Sequence, residues 1–187
     1  NYDRVCRGLM MMLWGYFQKM VIADRVAVLV NQVFDYSGYY SGFEILTGCL
    51  FFAVQIYCDF AGYSNIAIGA AEVLGFHLMK NFEEPYLACS VAEFWKRWHI
   101  SLTGWFRDYL YIPLGGNRNG KWKKYRNVMI VFLTSGLWHG ANWTYVIWGG
   151  LNGLFQVIGA QTAKLRCNCR KKMGIRTESG SWKIFSG

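Results

Sequence analysis

Two of the three histidines in this chain stand in aromatic strings, and their chemistry is the most informative feature of the sequence. His139 follows Trp138 at the end of an apolar run that begins at Val128, and Asn142 and Trp143 come shortly after it. Polar side chains are costly in hydrocarbon, so an ionisable group in an apolar segment indicates a function. Imidazole titrates near neutral pH, and burial favours the neutral form that accepts a proton. His139 is therefore a candidate general base, the alternative being a packed histidine bonded to a backbone carbonyl.

The second candidate, His99, ends the string that starts at Glu93. The segment Val91 to Tyr111 is predicted to be one amphipathic helix near the membrane interface. One face of this helix is expected to carry Trp95, Trp98, His99, Leu102, Phe106 and Tyr109. The opposite face is expected to carry Lys96, Arg97, Gly104, Arg107 and Asp108. His99 has a second interpretation, in which its helix simply orients it toward the lipid headgroups.

The elements that must position these histidines have the composition of membrane helices. Hydrophobic residues make up 53% of the chain, and there are nine tryptophans, a residue that membrane proteins concentrate at their interfaces. Phe43 to Phe60 would span ~27 Å as a helix, close to the ~30 Å of a bilayer core. Leu9 to Met20 and Gly62 to Phe76 are apolar as well. The predicted fold is all-α: a polytopic integral membrane helical bundle, read as an interior fragment of a larger multi-span protein.

Two further apolar segments, Val128 to Trp138 and Trp143 to Gln161, have basic runs outside both, at 118–126 and 164–172. Cytoplasmic loops of membrane proteins are rich in Lys and Arg, so the pair is predicted to be a hairpin with both basic runs in the cytoplasm. His139 would then lie ~20 Å from Arg126 along a helix, inside the bilayer. We expect residues 1–161 to form the membrane core. Residues 162–187 are expected to form a basic cytoplasmic loop and the start of a further segment.

The net charge of +9 does not indicate a nucleic-acid-binding protein, because the basic runs flank apolar segments and do not form a face of a soluble fold. The six cysteines show no disulfide spacing, and Cys167 and Cys169 have no second pair with which to hold a metal. A metal site on the two histidines would need a third ligand, for which Asp59, Asp108 and Cys58 qualify by residue type alone. No metal is expected.

Four strings that occur in order resemble the membrane-bound O-acyltransferase family, and the resemblance runs from about Gly8 to Gln161. They are Asp59 to Ser64 (DFAGYS), Glu93 to Leu102 (EFWKRWHISL), Trp105 to Tyr109 (WFRDY) and Ser135 to Gly140 (SGLWHG). The string from Tyr111 to Arg118 (YIPLGGNR) is similar to the branch that O-acetylates alginate. The branch that transfers D-alanine to teichoic acid shares the histidine string.

The resemblance implies catalytic roles for His139 and His99 in acyl transfer, with acetyl as the expected group, from a thioester to a hydroxyl of a cell-surface polysaccharide such as alginate. No permanently bound cofactor is implied; acyl-CoA or an acyl carrier thioester would be the co-substrate. Substrate contacts are expected at Trp95, Trp98, Trp138, Asn142 and Trp143. Basic residues of the loop would attract the donor or merely set topology: Arg118, Lys121, Lys123, Lys124 and Arg126.

The implied location is the cell membrane, as a multi-pass protein. The implied partners are the lipid bilayer, the acyl donor, and an extracytoplasmic partner acyltransferase or the polysaccharide acceptor. Two alternatives remain open. One is D-alanyl transfer to teichoic acid, and the other is a non-enzymatic transporter in which the histidines relay protons.

Overall fold

The computed structural model describes residues 2–118, 120–163, 165 and 168. Within these ranges the chain forms seven α-helices, with short π and 3₁₀ segments between some of them. The helices are α1 (Tyr2–Tyr16), α2 (Asp24–Asp35), α3 (Gly42–Leu74), α4 (Val91–Arg97), α5 (Ile100–Phe106), α6 (Lys121–His139) and α7 (Trp143–Gln161). The chain divides between Asn81 and Phe82 into two compact units, each of which is described by itself below. The predicted all-helical class is confirmed for the described residues.

In the first unit, α1 packs antiparallel against α3 through paired glycines. A Cβ atom added to Gly15 would lie 2.6 Å from the carbonyl oxygen of Gly62, and one added to Gly62 would lie 2.7 Å from the carbonyl oxygen of Gly15. Any side chain at either position would force the two backbones apart. Small residues of this kind allow close helix packing where no water is present to drive association.

The helix α3 is longer than the predicted span, since it begins at Gly42 and runs without a break to Leu74. A capping box starts it: the Ser41 hydroxyl accepts from the Glu44 N–H, and the Glu44 carboxylate accepts from the Ser41 N–H at 2.7 Å. Gly75 ends it with a left-handed φ of 95°. Among the described helices, α3 alone is long and apolar enough to cross a membrane. The multi-pass arrangement therefore stays a prediction.

Between α1 and α2 the chain forms a π-helical segment, Phe17–Ala23, in place of a simple end to the predicted apolar helix. Its Lys19 ammonium pairs with the Asp59 carboxylate of α3. The neighbouring Gln18 is buried, and its side-chain oxygen accepts from the Asn65 amide at 2.7 Å. These polar bonds hold the π segment against α3.

In the second unit, α6 and α7 form the antiparallel hairpin that the two apolar segments predict. Gly136 lies against the backbone of Tyr145, and Gly149 lies against the carbonyl oxygen of Phe132, so the helix axes approach closely. The Asn142 side chain begins α7 by accepting from the Thr144 N–H at 3.0 Å. Whether both basic ends face the cytoplasm stays a prediction. Of the run 164–172, only Leu165 and Asn168 are described, and Cys167 and Cys169 lie outside the described residues.

The single amphipathic helix predicted from Val91 to Tyr111 is wrong. The chain forms α4, breaks at Trp98 and His99, resumes as α5 and continues as a π-helical segment, Arg107–Tyr111. Trp98 has an extended backbone, and His99 has a left-handed φ of 47°. The periodic pattern hid this break because residues on both sides of it, such as Trp95 and Leu102, line the same cavity.

A turn over residues 112–118 follows, as the glycines and proline predict. A side chain of α6 is hydrogen-bonded to the backbone of this turn. Asn127 of α6 is 1% exposed. Its side-chain amide donates to the carbonyl oxygens of Leu114 at 3.1 Å and Gly116 at 3.2 Å. Since Asn127 satisfies two backbone acceptors at once, the turn has a fixed position against the start of α6.

Candidate active site

The two histidines line one cavity of about 330 Å³ in the second unit. His99 contributes from the start of α5 and His139 from the end of α6. They are brought together because the π segment that continues α5 packs against α6. The π segment leads into the turn bound by Asn127, while the ring of His99 lies 6.2 Å, between centroids, from the ring of Trp138.

His139 is the last residue of α6, and its imidazole is partly enclosed by three aromatic rings. The centroid distances are 5.0 Å to Trp138, 5.3 Å to Trp148 and 6.4 Å to Tyr145. The Trp148 ring meets the imidazole edge to face, at 88°. The predicted aromatic surround therefore exists, although Trp148 and Tyr145 of α7 supply much of it. His139 itself remains exposed in this chain.

His99 is more enclosed than His139 and lies between two seven-residue helices, outside α3, the described helix that is long and apolar enough to cross a membrane. Burial, and secondarily the charge of the nearby His139, lower the pKa of His99 to about 4. The imidazole of His99 is therefore neutral at physiological pH and presents one N–H donor and one nitrogen acceptor.

Trp95 and Trp98, both predicted substrate contacts, line the cavity. Trp95 packs edge to face against Phe132 at 5.4 Å and Trp148 at 5.8 Å. Trp98 stacks on Phe94 with centroids 5.5 Å apart. The rings thus join α4 to the hairpin and form an apolar wall beside His99.

The other three predicted substrate contacts are not among the residues that line this cavity. The side-chain oxygen of Asn142 is engaged in capping α7. Trp138 and Trp143 are 59% and 78% exposed. No comparison tests a substrate role for these residues, so that role stays a prediction.

Several polar residues on the cavity wall were not among the predicted site residues. Ser135 lies one turn before His139 on the same face of α6, and Thr103 lies one turn after His99 on α5. The signal was helical spacing, because the lining residues of α6 follow one another at intervals of one, three or four and so share one face of the helix. They are Lys124, Tyr125, Val128, Val131, Phe132, Ser135 and His139.

The cavity wall changes character along α6. Its far end carries Lys124 and, from the π segment, Arg107 and Tyr111. The middle is apolar, and the near end carries Ser135 and the two histidines. Lys124 and His139 are fifteen positions apart on α6, which is ~22 Å along the helix axis. Lys96 of α4 also lines the cavity, as does Arg107, although both were predicted for the opposite face. Burial lowers the pKa of Lys96.

The described residues contain no group of three or more His, Cys, Asp or Glu side chains arranged to hold a metal ion. The arrangement can instead position an elongated ligand, with an anionic group near Lys124 and Arg107 and a reacting group near the imidazoles. Two imidazoles and the Ser135 hydroxyl line this end of the cavity. These groups suit proton transfer at the carbonyl or hydroxyl of a bound ligand.

Within the described residues, the fold and this cavity define an all-helical protein with one helix long and apolar enough to cross a membrane and with two imidazoles in a partly apolar site. Residues 3–183 match the model of the membrane-bound O-acyltransferase family, and the chain belongs to that family.

Curated relatives include three kinds of transferase. The chain is 42% identical over 183 residues to the probable alginate O-acetylase AlgI of Pseudomonas syringae pv. tomato, covering 98% of this chain and 33% of that protein. It is 43% identical over 154 residues to a peptidoglycan O-acetyltransferase of Helicobacter pylori, covering 82% and 29%. Identity to a teichoic acid D-alanyltransferase of Streptococcus thermophilus is 33% over 136 residues, covering 67% and 32%. The chain thus spans about a third of the length of these relatives.

Proposed function

We propose that this chain is the catalytic part of a multi-pass membrane O-acyltransferase that moves an acetyl group from a thioester to a hydroxyl of a cell-surface polysaccharide. The observation that carries the proposal is the shared cavity, which has His99 and His139 at one end and cationic side chains at the other. The names of the relatives at 42% and 43% identity support acetyl as the group and a glycan as the acceptor.

In this proposal His139 is the general base. Its neutral nitrogen takes the proton of the acceptor hydroxyl as the oxygen attacks the thioester carbonyl carbon. The tetrahedral intermediate then collapses, the carbon–sulfur bond breaks, and His139 returns the proton to the departing thiolate. Proton transfer of this kind contributes ~10²–10⁴-fold to rate.

His99 is proposed to donate its N–H to the oxyanion that forms on the carbonyl oxygen. A neutral imidazole is suitable because it keeps one N–H while the other nitrogen accepts a bond. A preorganised donor of this type is worth ~10²–10³ in turnover. The aromatic walls formed by Trp95 and Trp98 would exclude water, which would otherwise hydrolyse the thioester.

The donor is proposed to be acyl-CoA or an acyl carrier protein thioester, since both carry phosphate on a long flexible arm. Lys124 and Arg107 would attract the phosphate, while the apolar middle of the cavity would hold the arm with its thioester toward His139. Further proposed partners are the bilayer and an extracytoplasmic partner acyltransferase or the polysaccharide itself. No bound cofactor is needed for this chemistry.

The test is acyl transfer in membranes that contain the full-length protein, with labelled acetyl thioester and a glycan acceptor. His139→Ala is expected to lose ~10²–10⁴-fold in rate while inserting normally. His77→Ala is the control, because His77 follows α3 in the first unit and does not line the cavity. Near-normal transfer by purified His139→Ala protein would refute the assignment.

D-alanyl transfer is the second candidate, and the observation that favours it is the relative from Streptococcus thermophilus. Comparing acetyl and D-alanyl thioesters at equal concentration separates the two. Faster use of the D-alanyl donor would replace acetyl as the transferred group. If neither acyl group is transferred and the membranes instead take up a solute in exchange for or together with protons, the result would favour the non-enzymatic transporter.

A further inference from the structure

His99 has a backbone conformation that its residue type disfavours. Its φ of 47° and ψ of 55° lie in the left-handed region, which non-glycine residues occupy only when the surroundings impose it. Glu84 is the other non-glycine residue with positive φ among those described. Both lie close to one β-bridge, between Phe82 and Trp98. Glu84 comes two residues after Phe82, and His99 comes directly after Trp98.

The chain just before His99 is held extended by its partner strand. Phe82 and Trp98 form an isolated antiparallel bridge, and the Glu83 N–H donates to the Arg97 carbonyl oxygen at 3.0 Å. The rings of Phe82 and Trp98 also pack edge to face at 5.0 Å. Trp98 therefore cannot continue α4, and the turn into α5 falls on His99.

An ion pair fastens this junction from the side of α4. The Arg97 guanidinium donates to Glu93 Oε1 at 2.6 Å, and it also donates to the carbonyl oxygen of Glu84 at 3.4 Å. Glu93 Oε2 accepts from the Cys89 N–H at 2.9 Å. Both carboxylate oxygens and two guanidinium nitrogens are thus used.

The partial burial of this pair makes it more than a surface contact. The Arg97 and Glu93 side chains are 31% and 14% exposed, so water screens them less than it screens an exposed pair. An i,i+4 pair could serve α4 alone. Here its outer bonds reach backbone groups of Cys89 and Glu84, outside the helix, and so attach the loop between the two bridged residues to α4.

We propose that Glu93 and Arg97 are positioning residues for His99. With the Phe82–Trp98 bridge they form a clasp that imposes the left-handed conformation and thereby directs the imidazole of His99 into the cavity. The proposal rests on the proposed function for its catalytic readout. Neither residue needs to touch substrate, since each acts through the backbone that carries His99.

The clasp predicts a specific kinetic signature. Without it, His99 can relax toward an ordinary backbone conformation, and its imidazole moves away from the reacting carbonyl. A displacement of about 1 Å can cost roughly 100-fold in turnover. Binding of donor and acceptor depends on other walls of the cavity, so kcat is expected to fall while both KM values stay near those of the unmodified protein.

Three variants of the full-length protein in membranes test this. Arg97→Gln removes the charge, and Glu93→Gln replaces one acceptor oxygen by an NH₂ group, so it cannot accept from both the guanidinium and the Cys89 N–H. Arg97→Lys keeps the charge, but a single ammonium lacks the planar fork of donors. The matched control is Glu72→Gln, which breaks the 3.0 Å pair with Arg7 in the first unit.

A second readout does not depend on activity. Diethyl pyrocarbonate modifies accessible imidazoles, and peptide mass mapping gives the rate at each histidine. Arg97→Gln is expected to change the rate at His99 several-fold and to leave His77 unchanged. Arg97→Lys, which preserves the charge and so favours folding, is expected to lie between Arg97→Gln and the unmodified protein in both kcat and His99 labelling.

The expected result is a fall in kcat of about 10- to 100-fold for Arg97→Gln and Glu93→Gln, with unchanged KM and a normal Glu72→Gln control. Unchanged kcat and unchanged His99 labelling in either variant would overturn the clasp. So would a rise in KM at constant kcat, which would make these residues part of substrate binding. Should the unmodified protein transfer no acyl group, the proposed function fails, and the labelling rates alone decide on the clasp.

Discussion

The imidazole of His99 lies 6.2 Å, between ring centroids, from the indole of Trp138, the residue that immediately precedes His139. This relationship joins the break between α4 and α5 to the end of α6. It depends on the left-handed backbone of His99 and on the end of α6 at His139. Both features shape the cavity from which the proposed chemistry follows.

Asparagine substitution should separate the two histidines. His99→Asn is expected to keep measurable transfer, because an amide N–H can replace the imidazole donor and asparagine tolerates the left-handed conformation. His139→Asn is expected to be inactive, because an amide cannot accept and return a proton near neutral pH. Initial rates with labelled acetyl thioester measure both. Equal inactivation would indicate that both imidazoles handle protons.

His99→Ala should be impaired by ~10²–10³ in turnover if His99 is an oxyanion donor. Full activity of that variant would reduce His99 to a packing residue.

The hairpin of α6 and α7 should be sensitive to the size of one residue and not of its neighbour. Gly149→Ala would place a methyl group against the carbonyl oxygen of Phe132. Overpacking of this kind costs ~1–3 kcal/mol of unfolding free energy. Gly150→Ala is the matched control, since the nearest atom to a Cβ there is Leu133 Cδ2 at 3.6 Å, an ordinary contact.

Thermal unfolding of the purified full-length protein in detergent compares the two. A lower Tm for Gly149→Ala and an unchanged one for Gly150→Ala are expected. Equal Tm values would contradict the close helix contact.

Asn127 should be more important for stability than an exposed asparagine with a similar bond. Asn127→Ala removes the donor to the buried carbonyl oxygen of Gly116 and to the part-buried one of Leu114, at a cost of ~1–3 kcal/mol. Asn152→Ala removes an exposed bond to the Trp148 carbonyl oxygen and is expected to change stability by less than ~0.5 kcal/mol. The rate of proteolytic cleavage within the turn over residues 112–118, compared with the rate of global unfolding, measures the loss of stability. Equal protease resistance of the two variants would argue against this attachment.

The predicted topology places the basic start of α6 in the cytoplasm. Lys123→Cys, on a background without other cysteines, is expected to resist an impermeant thiol reagent added outside cells and to react after permeabilisation. The physical reason is the retention of Lys- and Arg-rich segments on the cytoplasmic side. Ready labelling of intact cells would overturn this orientation. The matching position Lys171 lies outside the described residues.

The sequence by itself determined the helical class and the hairpin, and it singled out the two histidines that line the cavity. Helical periodicity, apolar length and basic flanks are local properties, so Trp143 to Gln161 could be assigned from the chain alone. The order of the motif strings likewise indicated the family, and the comparison confirmed it. The capping box at Ser41 likewise depends on a local sequence signal, a serine followed three residues later by a glutamate.

Only the tertiary structure decided where the helix containing His99 breaks and what lines the cavity. The break depends on a bridge between Phe82 and Trp98, sixteen positions apart, and on backbone bonds made by Arg97 and Glu93. Helix propensity cannot register such contacts, because it sums preferences of neighbouring residues along one segment. The presence of Arg107 and Lys124 on the wall of one cavity has the same origin, because packing between segments, not local preference, selects which faces meet.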